Sequence, residues 1–149
     1  MGDRSLIAGI RPMSIINADW PEYASPVYDA GVVFAGSRRS RVLALDFETK
    51  KIMWREKVDG RILSSPGASN GLVYVAAEDG IVRALKASNA EKVWEYKTKS
   101  PIMSNIFATP DKVYFATGDN VFYCLNAATG EWVWEYSHEV TKEMTVLGL

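Results

Sequence analysis

At 149 residues, 48% of them hydrophobic and 23% charged, the chain has the length and balance of one modest globular domain with material for a real core. A formal net charge of −1 gives no global electrostatic basis for binding nucleic acid or an anionic membrane. A single cysteine, Cys124, and a single histidine, His138, exclude an intrachain disulfide and a cysteine-based zinc cluster, and leave little for a histidine-rich metal site or a catalytic triad.

The first ten residues, Met1 to Ile10, lack the apolar stretch of a signal peptide, which fits a cytoplasmic protein or one whose leader has been removed. No apolar run approaches the roughly 20 residues that span a bilayer, so the chain is expected not to cross a membrane. Residues 1–23 are shorter than the units that follow. Within them Met13 to Asp19 match the offset of Met53 to Asp59 and read as a possible outer strand of a neighbouring unit.

From residue 24 the chain repeats itself. Trp54, Trp94 and Trp134 stand 40 residues apart, and so do Leu45, Leu85 and Leu125. Val42, Val82 and Phe122 hold the same register, as do Phe34, Tyr74 and Tyr114, each preceded by a valine. The copies run over 24–63, 64–103 and 104–137, and 138–149 form a connector or the start of a fourth. In each copy a short segment (Ser25-Pro26, Ser65-Pro66, Asn105-Ile106) leads to a turn at Ala30-Gly31, Asn70-Gly71 or Pro110-Asp111. An apolar strand follows, then a hairpin turn; Asp79-Gly80 and Asp119-Asn120 suit the tight primed type. A strand reaching the repeated leucine, a polar turn and a strand bearing the tryptophan complete the copy.

Four short strands per 40 residues are the signature of a β-propeller blade rather than a helical solenoid. The expected fold is all-β: three four-stranded antiparallel blades. Closed propellers usually need four to eight blades, so three make an open sector rather than a closed ring. Two such sectors would supply six, which makes self-association one way to close. Strands apolar on both faces fit blades sandwiched between neighbours. The small residues Ala35-Gly36, Ala76-Ala77 and Ala116-Thr117 are expected where blades converge on the axis. Trp54, Trp94, Trp134, Leu45, Leu85 and Leu125 are expected to pack blade against blade.

The run Leu125-Asn126-Ala127-Ala128-Thr129-Gly130-Glu131-Trp132-Val133-Trp134 resembles the PQQ-type propeller repeat, whose signature is Ala-Leu-Asp-Ala-x-Thr-Gly-x-x-x-Trp. Ala44 to Lys50 match it with lysine in place of glycine, and Ala84 to Ala90 are more degenerate. The likeness covers about Ala24 to Tyr136, and the ending, Trp134-Glu135-Tyr136 then Glu143 to Gly148, is similar to the connector of BamB-like chains. This repeat names a fold, not a chemistry. It implies a non-catalytic scaffold for protein partners, BamB-like in outer-membrane β-barrel assembly in the bacterial periplasm, with no cofactor. The alternatives are a fragment of a PQQ-dependent quinoprotein dehydrogenase and a self-associating propeller fragment. The dehydrogenases' adjacent cysteine pair under the quinone is missing here, since Cys124 stands alone.

The copies disagree most at Arg38-Arg39-Ser40-Arg41, where the second has Glu78-Asp79-Gly80 and the third Gly118-Asp119-Asn120. In a four-stranded blade this turn and the loop to the next blade emerge on one face, which would bring Arg61 to Arg38, Arg39 and Arg41, with Lys97 and Lys99 in the following loop. Such a patch could dock an acidic segment of a protein partner through planar guanidinium pairing. The plain alternative is a solvated turn whose arginines face water or the acidic turn beside it. Nucleic acid is not expected, because no aromatics interleave the arginines. Cys124 aligns with Ala44 and Ala84 and reads as packing, and His138 as a solvent-facing loop residue.

Overall fold

A computed structural model describes residues 24–137, so the segment read as a neighbouring strand, the connector and His138 lie outside the described residues. The first sheet holds β1 (Val27–Asp29), β2 (Val32–Gly36), β3 (Arg41–Asp46) and β4 (Ile52–Lys57). The second holds β5 (Gly67–Ser69), β6 (Leu72–Ala76), β7 (Ile81–Lys86) and β8 (Lys92–Lys97). The third holds β9 (Phe107–Ala108), β10 (Lys112–Ala116), β11 (Val121–Asn126) and β12 (Trp132–Ser137). Each is a four-stranded antiparallel meander in sequence order, and none closes into a barrel. The described fold is therefore all-β, a partial propeller of three blades, as the repeat implies. Among the described residues no helix is long and apolar enough to cross a membrane.

Turn chemistry fixes the registers. Ala30 and Gly31 (φ 47° and 86°), and Asn70 and Gly71 (52° and 79°), form two-residue turns with both central residues at positive φ. The β2–β3 turns differ from the primed type expected at Asp79-Gly80 and Asp119-Asn120. Only the last loop residue has positive φ: Ser40 (63°), Gly80 (79°) and Asn120 (64°). Each is a three-residue loop closed by a left-handed residue, with Ala77 N donating to Ile81 O at 3.3 Å and Gly80 N to Ala77 O at 3.0 Å. Asp79 is thereby spared the left-handed region, and its carboxylate accepts the Ile81 amide at 3.1 Å.

Strands β1, β5 and β9 lie side by side as the innermost of each blade, and β4, β8 and β12 are outermost. Two cores fill the gaps between blades. Phe34, Val42 and Ala44 of the first blade meet Val73, Val75 and Leu85 of the second. Tyr74, Val82, Ala84 and Trp94 of the second meet Val113, Phe115, Tyr123 and Leu125 of the third. Leu45, Leu85 and Leu125 are all buried; Leu85 lies in the core between the first two blades and Leu125 in the core between the second and third, while Leu45 belongs to neither. The innermost position belongs to β1, β5 and β9 rather than to the small residues after the aromatic. Gly36 makes room for the linking loop instead: a Cβ there would stand 2.4 Å from Cγ2 of Ile62, a buried residue of the loop joining the first two blades.

The tryptophans divide. The Trp54 indole N–H donates to Ala87 O at 2.8 Å and that of Trp94 to Ala127 O at 2.9 Å, each crossing to the next blade. Trp94 is 8% exposed, but Trp134, on the outer side of the third blade, is 44% exposed and does not fill an inter-blade gap among the described residues.

Candidate partner-binding site

The turn Ser37 to Arg41 is held from within. The buried Ser37 hydroxyl accepts the amides of Arg39 and Arg41 at 3.2 and 3.3 Å, leaving the arginines at positions 38, 39 and 41 exposed. The linking loop docks on this turn: Val58 N donates to Ser40 O at 2.8 Å and Ile62 N to Ser37 O at 3.1 Å. Arg61 therefore emerges beside the arginine turn, as a blade's geometry requires. Its guanidinium, however, turns to the second blade, bonding Glu78 at 3.0–3.1 Å, while Glu78 N donates to Arg61 O at 2.9 Å. Hydrogen bonding to Arg61 holds the Glu78 carboxyl below its ordinary range. Arg61 is thus shared with the acidic turn of the second blade, and Arg38, Arg39 and Arg41 form the more distinct group.

Other reactive side chains have structural work. Asp46 accepts the amides of Glu48 and Thr49, and Asn126 those of Ala128 and Thr129, each organising a β3–β4-type turn. Cys124 is buried, and desolvation pushes its thiol pKa up, the opposite of what a nucleophile needs. Among the described residues no group of three or more His, Cys, Asp or Glu side chains is placed to hold a metal.

Sequence reading missed one charged feature. Arg83, buried in β7, bonds Asp79 at 2.7 Å. It borders a polar cleft of about 290 Å³ between the first two blades, lined also by Glu56, Asp59, Lys92 and Glu95. The only signal was an arginine in an otherwise apolar strand, aligned with Leu43 and Tyr123. At the next interface the positions matching Glu56 and Arg83 are held by Tyr96 and Tyr123, with ring centroids 6.1 Å apart.

Three meander blades in strict repeat, joined by tryptophans that bond the following blade, define a propeller sector of PQQ-type repeats. The profile of the family described as outer membrane protein assembly factor BamB matches residues 16–137. The chain belongs to that family. BamB from Moraxella catarrhalis is similar at 25% identity and a TM-score of 0.69, over 74% of this chain and 36% of that one. The quinohemoprotein alcohol dehydrogenase from Comamonas testosteroni shares the fold at 24% identity and a TM-score of 0.65, over 76% of this chain and 20% of that one. Sqt1 from Saccharomyces cerevisiae does so at 16% identity and a TM-score of 0.70, over 77% and 34%. The chain thus spans about a third of the Moraxella protein. No curated protein sequence matches it significantly.

Proposed function

We propose that this chain is part of a non-catalytic propeller scaffold that binds protein partners, with a BamB-like role in outer-membrane β-barrel assembly in the periplasm. The observation that carries the reading is the arginine turn. Arg38, Arg39 and Arg41 are exposed on a turn braced from below by Ser37 and from the side by the linking loop, at the position where the three copies differ most in charge. A rigid support with guanidinium groups at its rim suits an acidic segment of a protein, because the planar fork pairs with carboxylates without first having to be ordered. Family membership supports the assembly role, and Asp46, Glu78 and Asp79 are each engaged in holding a turn or a blade boundary.

Photo-crosslinking tests this. A photoreactive residue replaces Arg38 in the full chain exported to a bacterial envelope, with Lys92 on an outer strand as the control position. Adducts with outer-membrane assembly proteins are expected from position 38, and reversing Arg39 and Arg41 to Glu should reduce them severalfold. Equal adducts from both positions, or a yield indifferent to charge reversal, would refute the patch. The dehydrogenase reading has its own readout: a bound-quinone spectrum with PQQ and calcium, together with alcohol-dependent dye reduction.

A further inference from the structure

The grooves at the outer side of the two blade interfaces carry different chemistry on the same frame. In the first groove Arg83 and Lys92 are each matched within the chain, Arg83 by Asp79 at 2.7 Å and Lys92 by Glu95 at 3.0 Å. Forty residues on, the second groove keeps the carboxylate as Glu135 and exchanges both cations for rings. Tyr123 stands in the place of Arg83, Trp132 in that of Lys92, and Tyr96 in that of Glu56. Glu135 lies directly across from Tyr123 and Trp132 across from Leu125, so both side chains are on the face that the third blade turns to the second.

The rings are held and the carboxylate is aimed. Tyr123, 6% exposed, stacks on Phe115 at 5.3 Å and meets Tyr96 at 6.1 Å with the planes tilted by 60°. The Trp132 indole N–H donates to Glu135 Oε2 at 3.3 Å, while the residue as a whole stays 53% exposed. Among the described residues no cation pairs with Glu135. Its charge reaches both tyrosines: burial first, and the Glu135 carboxylate second, push the phenols of Tyr96 and Tyr123 above their ordinary range. A carboxylate bordered by aromatic rings, whose faces are themselves negative, attracts a cation twice over.

We propose that the rim of the second groove, formed by Tyr96, Tyr123, Trp132 and Glu135, is a receptor for an arginine side chain of a protein partner. The flat guanidinium lies on the exposed indole, and its N–H groups meet the Glu135 oxygen that Trp132 does not occupy. A quaternary ammonium would suit the rings but offer the carboxylate no donor, and a lysine ammonium has no flat face to lay on the indole. The first groove cannot serve in this way, because its carboxylate Glu95 already holds Lys92. This receptor is independent of the arginine turn, which belongs to the first blade and takes the opposite charge.

The test titrates the full chain, its tyrosine rings isotope-labelled, with the blocked tripeptide acetyl-Gly-Arg-Gly-amide, and NMR reads the Tyr96 and Tyr123 ring signals. Parallel titrations at equal ionic strength use the same peptide with citrulline or lysine for arginine, and choline chloride. Both ring signals should move saturably with the arginine peptide, and the other three probes should bind at least about fivefold more weakly. Glu135→Gln should weaken the arginine peptide at least about fivefold, and so should Trp132→Lys, which rebuilds the lysine–glutamate pair of the first groove. Both substitutions lie on the exposed strand β12, and a Trp94 indole signal unchanged from the natural chain reports that the blades remain folded. No response to the arginine peptide, an equal response to citrulline, lysine or choline, or indifference to Glu135→Gln overturns the proposal. Ring signals that move with protein concentration alone would assign the groove to a second copy of the chain, and would also overturn it.

Discussion

Replacing the repeated tryptophans one at a time should give unequal losses, although the sequence makes them equivalent. Trp94 is 8% exposed, donates to Ala127 O at 2.9 Å and lies beside Tyr74 with centroids 5.7 Å apart. Hiding such a ring removes roughly 150–250 Å² from water, about 4–6 kcal/mol as an upper bound at 25 cal/mol per Å². Trp94→Ala should therefore cost about 3–5 kcal/mol, cavity included. Trp94→Phe keeps most of the apolar area and loses chiefly the hydrogen bond, about 1 kcal/mol, because the Tyr74 hydroxyl still donates to Ala127 O at 3.2 Å. Trp134 is 44% exposed and packs mainly on Tyr114 of its own blade, so Trp134→Ala should cost less than about 1.5 kcal/mol. Trp54, half-buried, should fall between. Urea midpoints followed by far-UV circular dichroism would rank the series, with the phenylalanine variants as fallback where an alanine variant does not fold. Equal losses at Trp94 and Trp134 would refute the assignment of these side chains to inter-blade gaps.

The Gly130 position separates backbone strain from packing: Ala90 and Lys50 hold its counterpart conformation at φ 65° and 62°, which costs an L residue about 1 kcal/mol. Ala90→Gly should raise stability by about 0.5–1 kcal/mol, whereas Gly130→Ala, which pushes a Cβ into the Trp94 ring, should lower it by at least about 2 kcal/mol; calorimetric midpoints moving the other way would contradict this. Burial pushes the Tyr74 phenol up to about 12. Its pKa is raised on folding, so its contribution to stability is complete below about pH 10, where the unfolded phenol ionises, and is lost as pH rises towards 12. An ultraviolet titration in which every tyrosine ionises near pH 10 in the folded protein would be incompatible with that burial. Asp79→Ala should destabilise by about 1–3 kcal/mol, reduced from the fully buried case because the Asp79 side chain is 24% exposed. Asp79→Ala combined with Arg83→Leu should recover much of that loss in the same denaturation assay, since leucine is the residue at the aligned position 43.

The blades were legible because nothing interrupts the 40-residue register: every strand of the second and third sheets begins 40 residues after its counterpart. Buried leucines and indoles recur because each blade must present the same faces to its neighbours. Three things were not legible. Asp-Gly and Asp-Asn serve both a two-residue primed turn and a three-residue loop ended by a left-handed residue, so composition could not separate them. The Arg61–Glu78 pair joins residues 17 apart across a blade boundary, and only the docking of the linking loop brings them together. The lysine at position 50 stands where the motif has glycine, and the motif does not say that its ammonium lies over the Phe47 ring.

Where the copies diverge, they also fix the order of the blades. An array of identical interfaces could pair any front face with any back face, and nothing would oppose a slip by one blade. Here the outer part of the first interface is polar, with Glu56 facing the cleft that Arg83 borders, and the same place in the second holds Tyr96 against Tyr123. A first blade set directly on the third would bring the Glu56 carboxylate over the Tyr123 ring, removing water from a charge with no cation to meet it. A second blade set on another second blade would lay Tyr96 over Arg83 and close off the solvated cleft. Each mismatch sets a charged group against an aromatic ring, so the sequence differences that weaken the repeat as a motif strengthen it as an address for each blade.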